Sequence, residues 1–403
     1  MKFFITEDDM CTTQKLNLAR VQKWIEANDG AVVEDPAAAD KILCMTCNGW
    51  ALLETRSYDR IKELDSKFHD KMVVMGCVVD SHPGKVNEIF SGPTVRTRSK
   101  EALSFAGIQD LFPDFKIPLT QIPAQSTFRR KEDYRDYNLS KRFINIAEGC
   151  SFSCTFCTHK PGLGPRRSRE FDDIMTQVEK CVEDGVKIIN LMGMETALYG
   201  KDVGSSYPAL LREILNFSDT YEVHVAQFNP HGIHYYYDDL LALFSNPRVS
   251  DIQVPIQSTS TRLLKMMNRK NFADEVGPFF TAVRAANRRA VLRTDLIVGW
   301  PTETDEERYA SLDFAGKHFD EIATYTIELS PDLPAWKYQD QAFSTERLAE
   351  ILKESREYLK RFDVFAHSGQ QDDNTMLTAE EKRRNLRERK AQAAAAAAAS
   401  AAS

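Results

Sequence analysis

At 403 residues the chain is long enough for about two or three domains, each with a core of its own. Hydrophobic residues make up 42% and charged residues 28%, a balance that excludes a disordered or fibrous chain. Acids outnumber bases 59 to 52, so no global field draws the molecule to nucleic acid, and RNA contact requires a local basic patch.

Glu7, Asp8 and Asp9 interrupt the N-terminus before a signal-peptide core can form, and no apolar run reaches bilayer length. The expectation is a cytoplasmic protein without a membrane partner. In such a chain the eight cysteines, at 11, 44, 47, 77, 150, 154, 157 and 181, read as metal ligands or redox groups rather than a disulfide framework.

From 1 to about 80, short apolar runs at 3–5, 41–45 and 72–75 alternate with helical patterns at 13–27 and 51–68. The alternation predicts a small open parallel-sheet α/β domain. Cys11, Cys47 and Cys77 each follow a predicted strand, where open parallel sheets gather their ligands. Residues 81–139 carry scattered proline, glycine and charge, including a polar run at 129–135, and read as a connecting region with one helix.

From 140 to 335 the pattern is regular, with predicted strands at 143–147, 187–192, 222–228, 251–256, 291–298 and 322–329. Helical segments lie between them, such as 171–184 and 273–287. Successive crossovers of this kind give a partial (β/α)6 TIM-like barrel, with active-site residues at the C-terminal strand ends. A helix is expected at 336–365. No strand periodicity follows Asp363, 378–392 is charged on every face, and 366–403 reads as a disordered tail.

The strongest signal is EGCSFSCTFC at 148–157, a CxxxCxxC loop directly after the first barrel strand. Thiolates at Cys150, Cys154 and Cys157 can hold three irons of a [4Fe-4S] cubane and leave the fourth open. A zinc site needs a fourth ligand, for which His159 is nearest, and a ferredoxin-type carrier needs a fourth local cysteine. Motif, strand context and barrel pattern together favour the open cluster. Cys44 completes a CxxC with Cys47, a spacing used for redox exchange, but its apolar surroundings read as core. Cys181, on an apolar helix face, reads the same way.

On this loop, with Phe156 before the third cysteine, the chain resembles the radical S-adenosylmethionine (SAM) superfamily. Further strings are Gly76-Cys77, RSR at 167–169, ALYG at 197–200, VPIQS at 254–258, MMNR at 266–269 and DLIVGWP at 295–301. In their order and spacing they resemble the radical SAM methylthiotransferases from residue 1 to about 359.

The resemblance implies SAM at the open iron as the source of a 5'-deoxyadenosyl radical. It also implies a second, auxiliary [4Fe-4S] cluster on Cys11, Cys47 and Cys77, whose plain alternative is three buried free thiols. It places Glu195 against the methionyl ammonium of SAM, with a solvated loop acid as the plain alternative. Phe156, Gln257, Ser258, Arg269 and Val298 are placed around cofactor and substrate. Asp295, inside a predicted strand, requires a partner if buried. Arg166, Arg167 and Arg169 read either as a carboxylate or phosphate contact or as solvated charge.

The chain departs from the family pattern at Met10, where a glycine usually precedes the cysteine, at Gln14, where asparagine is common, and at Thr302, where glycine is expected. The family also continues into an RNA-binding TRAM barrel and acts on a tRNA adenosine or a ribosomal-protein aspartate. Without strand periodicity after Asp363, a peptide, protein or small-molecule acceptor is favoured over tRNA, alongside a reducing electron donor. The expected activity is insertion of a methylthio group at an unactivated C–H carbon, with SAM as radical source and methyl donor. The alternatives are a radical SAM modifying enzyme whose auxiliary cluster conducts electrons, and a non-catalytic metal-binding module.

Overall fold

The computed structural model describes residues 1–6, 10–49, 51–97, 105–127 and 141–368, with Leu386, Glu388, Lys390 and Gln392. The polar run at 129–135, the acids at 7–9 and nearly all of the tail lie outside the described residues. The chain forms two units: one of Met1–Arg135, Glu148–Ser151 and Cys157–Arg167, the other of Asp136–Ala147, Phe152–Phe156 and Ser168–Ser403.

The first unit is built on β1 (Lys2–Ile5), β2 (Ala31–Val32), β3 (Lys41–Thr46), β4 (Met72–Gly76) and β5 (Thr94–Arg96), in the order β2-β1-β3-β4-β5. Every pairing is parallel, because helical crossovers α1 (Thr12–Ala27) and α2 (Ala51–Phe68) return the chain to the same end of the sheet. Alternation along β3 sends Leu43 and Met45 to one face, packed with Trp24 and Val21 of α1. Ile42 and Cys44 go to the other, against Ile61 and Leu64 of α2. Cys44 is therefore core. Three short helices complete the unit: α3 (Cys77–Ser81), α4 (Pro83–Ile89) and α5 (Lys160–Leu163). Strand β5 falls inside the expected connecting region, since three residues with one buried side chain carry no readable period.

The second unit is an open sheet of β6 (Lys141–Glu148), β7 (Arg167–Ser168), β8 (Ile188–Gly193), β9 (Glu222–Val225), β10 (Val249–Gln253), β11 (Val291–Ile297), β12 (Glu321–Tyr325) and β13 (Phe365–Ser368). Their order is β13-β12-β11-β10-β9-β8-β6-β7, with two edges rather than a closed barrel. The six expected strands are β6 and β8 to β12. β9, β10 and β12 end earlier than expected: Gln227 turns to φ +55°, and Pro255, which has no N–H, follows β10. β13 lies where a helix to 365 and a disordered tail from 366 were expected. Its residues Phe-Ala-His-Ser show no alternation of their own, and the free edge of β12 supplies the pairing.

Helices α6 (Phe171–Glu183), α7 (Tyr207–Phe217), α8 (His231–Tyr235), α9 (Tyr237–Phe244), α10 (Thr261–Met266), α11 (Ala273–Ala286), α12 (Asp305–His318) and α13 (Thr345–Leu359) fall between the strands. One sheet face, carrying Ile144, Ile189, Val223, Ile252, Leu292 and Ile322, packs against Ile174, Val178 and Cys181 of α6 and the apolar stripes of its neighbours. The other face is polar: Asn190, His224 and Asp251 are in register across β8 to β10, and Gln253, Arg293 and Glu321 across β10 to β12. Among the described residues no helix is long and apolar enough to cross a membrane.

Candidate active site

In the first unit β1, β3 and β4 are neighbours, so the segments after them emerge along one edge. Cys11 precedes α1, Cys47 follows β3, and Cys77 opens α3 directly after β4. Gly76 makes that last turn possible: its φ is +112°, and a Cβ there would lie 2.3 Å from Thr46 O. Ser57 Oγ fixes the second loop by accepting from Cys47 N–H at 3.0 Å and donating to Leu53 O at 2.8 Å.

The thiols come together. Cys11 and Cys77 lie close enough to interact with Cys47, and that interaction holds Cys47 well below the usual thiol range. The same interaction with Cys47, reinforced by burial, raises Cys11 and Cys77 above it. Gln14 Nε2 donates to Cys77 Sγ at 3.0 Å, so the glutamine that departs from the family pattern reaches a cysteine directly. Among the described residues no three His, Cys, Asp or Glu side chains are grouped to hold a single metal ion. A cubane needs no such convergence, because each thiolate takes a different iron. A thiol donor set, buried at Cys47 and Cys77 and half-buried at Cys11, suits an iron–sulfur cluster.

Cys150 and Cys157 also belong to this unit. Lys160 Nζ donates to Cys150 O at 2.7 Å, and Cys150 N–H to Gly164 O at 3.2 Å, which closes the loop around α5. His159, the nearest fourth ligand for a zinc reading of CxxxCxxC, instead stands beside Cys47. A methyl group placed on Gly49 would lie 3.6 Å from both Cys47 Sγ and His159 Cε1.

Cys154 belongs to the second unit, where the MMNR string clasps its segment. Thr155 N–H donates to Met267 O at 3.1 Å, Asn268 Nδ2 to Ser153 O at 2.8 Å, and Arg269 Nη1 reaches Cys154 Sγ at 3.6 Å. Arg269 Nη2 is anchored on Pro255 O at 2.9 Å. Phe156 meets Trp300 edge-on at 6.2 Å within a small core that includes Leu263 and Met267.

Glu195 is 1% exposed, and its Oε1 accepts from Leu198 N–H at 2.8 Å, which overturns the solvated-acid alternative. Ser258, also buried, is engaged with Ser311 Oγ at 3.2 Å and accepts from Ser260 N–H at 3.1 Å, at the start of α10. Gln257 adopts φ +70° and bridges backbone to β11, donating to Asp295 O and accepting from Ile297 N–H, each at 2.9 Å. Val298 is buried, with its N–H on Tyr325 O at 2.8 Å. Asp295 has the partner a buried acid requires, Gln253 Nε2 at 2.9 Å, and burial raises its pKa against the pull of Arg293. Arg169 is turned inward onto Asn145 O and Gln177.

Sequence reasoning missed the rest of the polar sheet face. Arg293 Nε lies 2.7 Å from Asp251 and its Nη1 3.9 Å from Glu321, which also meets His367 Nε2 at 3.1 Å. Spacing at i and i+2 in Asp251/Gln253 and Arg293/Asp295 carried the signal.

Residues 144–315 match the model of the radical SAM superfamily. That segment is a radical SAM domain. The chain is an enzyme, a transferase homologous to the methylthiotransferases. It is 29% identical over 346 residues to the ribosomal protein uS12 methylthiotransferase RimO of Clostridium novyi, covering 82% of this chain and 76% of that one. It is 26% identical to a probable threonylcarbamoyladenosine tRNA methylthiotransferase of Methanothermobacter thermautotrophicus, covering 74% and 70%. Among solved structures, the radical SAM methyltransferase TsrM of Kitasatospora setae superposes with a TM-score of 0.62 at 13% identity, over 83% of this chain and 73% of that one. That likeness is one of fold. A radical SAM domain implies a [4Fe-4S] cluster and SAM.

Proposed function

We propose that the enzyme is a radical SAM methylthiotransferase that inserts a methylthio group at an unactivated C–H carbon, with a protein or peptide as the favoured acceptor and tRNA as the alternative. In this reading residues 1–80 form the methylthiotransferase-type domain and 140–335 the radical SAM core. The observation that carries it is the gathering of Cys11, Cys47 and Cys77 on one sheet edge, in a chain that also has the CxxxCxxC loop. Two cysteine triads, each leaving one iron of a cubane open, are what separate radical and sulfur chemistry require. When bound, the cluster on Cys150, Cys154 and Cys157 together with SAM supplies the radical, and the auxiliary cluster on Cys11, Cys47 and Cys77 supplies the sulfur.

The chain's own groups set the stage for those cofactors. Arg269 steadies Cys154, Phe156 and Trp300 wall off water behind the loop, and Glu195 receives the ammonium of SAM. Gln257, Ser258 and Val298 shape the backbone at the ends of β10 and β11, and Asp295 belongs to the polar face that meets the acceptor. An external reductant supplies the electron, and a cytoplasmic location fits thiols that must stay reduced.

Cys47→Ala or Cys77→Ala is expected to abolish sulfur insertion while SAM is still cleaved to deoxyadenosine. Mass spectrometry of the product reads the first and chromatography the second. Unchanged product from either variant would sink the reading. A product without added sulfur and carbon would point instead to an electron-conducting second cluster.

A further inference from the structure

We propose that His159 is the fourth, exchangeable ligand of the auxiliary cluster, bound to the iron that Cys11, Cys47 and Cys77 leave open. The inference rests on the auxiliary site proposed above and adds a residue that the cysteine pattern does not name.

Three observations carry it. The ring lies against the Cys47 loop, since the vacant Cβ position of Gly49 is 3.6 Å from both Cys47 Sγ and His159 Cε1. Any side chain on Gly49 would stand between them. The segment bearing His159 is also fixed at both ends against the thiols' own loops. Asn48 Nδ2 donates to Thr158 O at 3.0 Å, and Gly162 packs 3.3 Å from Asp80 Cβ and 3.7 Å from Cys77 O by the same measure. Finally, no described residue is hydrogen-bonded to the half-buried ring, whereas Cys47 acts on it electrostatically. An imidazole held beside a thiolate, with no hydrogen bond of its own, is placed to ligate.

The chemistry balances without a redox step. Neutral imidazole donates a nitrogen lone pair to the ferric or ferrous iron and loses no proton. Sulfide, arriving as HS⁻, forms the Fe–S bond as the Fe–N bond breaks, its proton passing to the released imidazole. Histidine would thus protect the open iron at rest and yield it to the sulfur that is transferred. A fourth ligand that never left would give an electron carrier instead.

The test uses the Cys150→Ala/Cys154→Ala/Cys157→Ala variant, which leaves only the auxiliary triad, reconstituted without air and reduced. It is expected to hold about four irons and to show strong ¹⁴N coupling in pulsed electron paramagnetic resonance. Histidine labelled with ¹⁵N should shift that coupling. Adding His159→Ala should remove it with iron retained, and sodium sulfide should displace it in the parent. Retained iron without ¹⁴N coupling, or coupling indifferent to His159→Ala or to sulfide, would overturn the proposal alone. Loss of all iron in the triple variant would instead remove the auxiliary site and the proposal with it. Because the triple variant alters the loop bearing His159, the same comparison in SAM-free wild type and in the His159→Ala protein provides a second measurement.

Discussion

Thr302 holds φ +69°, a left-handed conformation that crowds a β-branched side chain. What holds it there is Arg262, whose Nη1 donates to Thr302 Oγ1 and Nη2 to Thr302 O, each at 2.8 Å. A side-chain clasp therefore offsets the strain of this backbone. Strain of about 1–2 kcal/mol is set against the greater freedom of glycine in the unfolded chain, about 0.4–1 kcal/mol, and one exposed hydrogen bond. Thr302→Gly is accordingly expected to stabilise the protein by no more than about 1 kcal/mol, read as a rise in urea midpoint at constant slope. A lower midpoint would mean that the Arg262 clasp outweighs the strain.

At the next scale, the turn between β11 and α12 encloses a titrating acid. Thr304 and Glu307 form a capping box at the start of α12, while Glu303, 6% exposed, accepts from Gly299 N–H at 2.6 Å. Burial pushes Glu303 up to about 7, against 4.5 for the free group. The folded state thus holds this proton more tightly than the unfolded one. Its contribution is fully present below about 4.5 and is lost as pH rises through about 7, a span of at most about 3 kcal/mol. Glu303→Gln keeps an oxygen for Gly299 and removes the proton, so the fall in stability between pH 5 and 7 should flatten. Urea midpoints across that range check it, and parallel slopes in both proteins would assign the titration elsewhere. The same scale explains what could be read from the chain alone. β3, β4 and the six inner strands of the second sheet announce themselves because mostly buried residues follow one another over four to eight positions. β5, β7 and β13 have only two to four residues and exist because an edge is free to pair. The cysteine triads were legible as spacing, but the place of His159 was not, because it depends on how α5 docks rather than on its distance along the chain.

For the molecule as a whole, the apolar clusters decide how it should come apart. Trp24 is fully buried among Phe3, Leu43 and Phe112, and its Nε1–H donates to Ile117 O at 2.9 Å, all within the first unit. Phe280 is equally buried among Phe279, Phe319 and Val283 in the second. Among the described residues none is shared between these cores, and a chain with two separate cores need not unfold as one cooperative block. Calorimetry of the metal-free protein should therefore give a calorimetric enthalpy larger than the van't Hoff value. Trp24→Ala and Phe280→Ala each remove a large core ring, at a cost of about 3–5 kcal/mol, and each should lower the transition of its own unit while leaving the other in place. A single transition with equal enthalpies, moved alike by both substitutions, would mean that the two units fold as one. In that case any loss of iron in the cysteine variants would have to be separated from global unfolding before it could be assigned to a ligand.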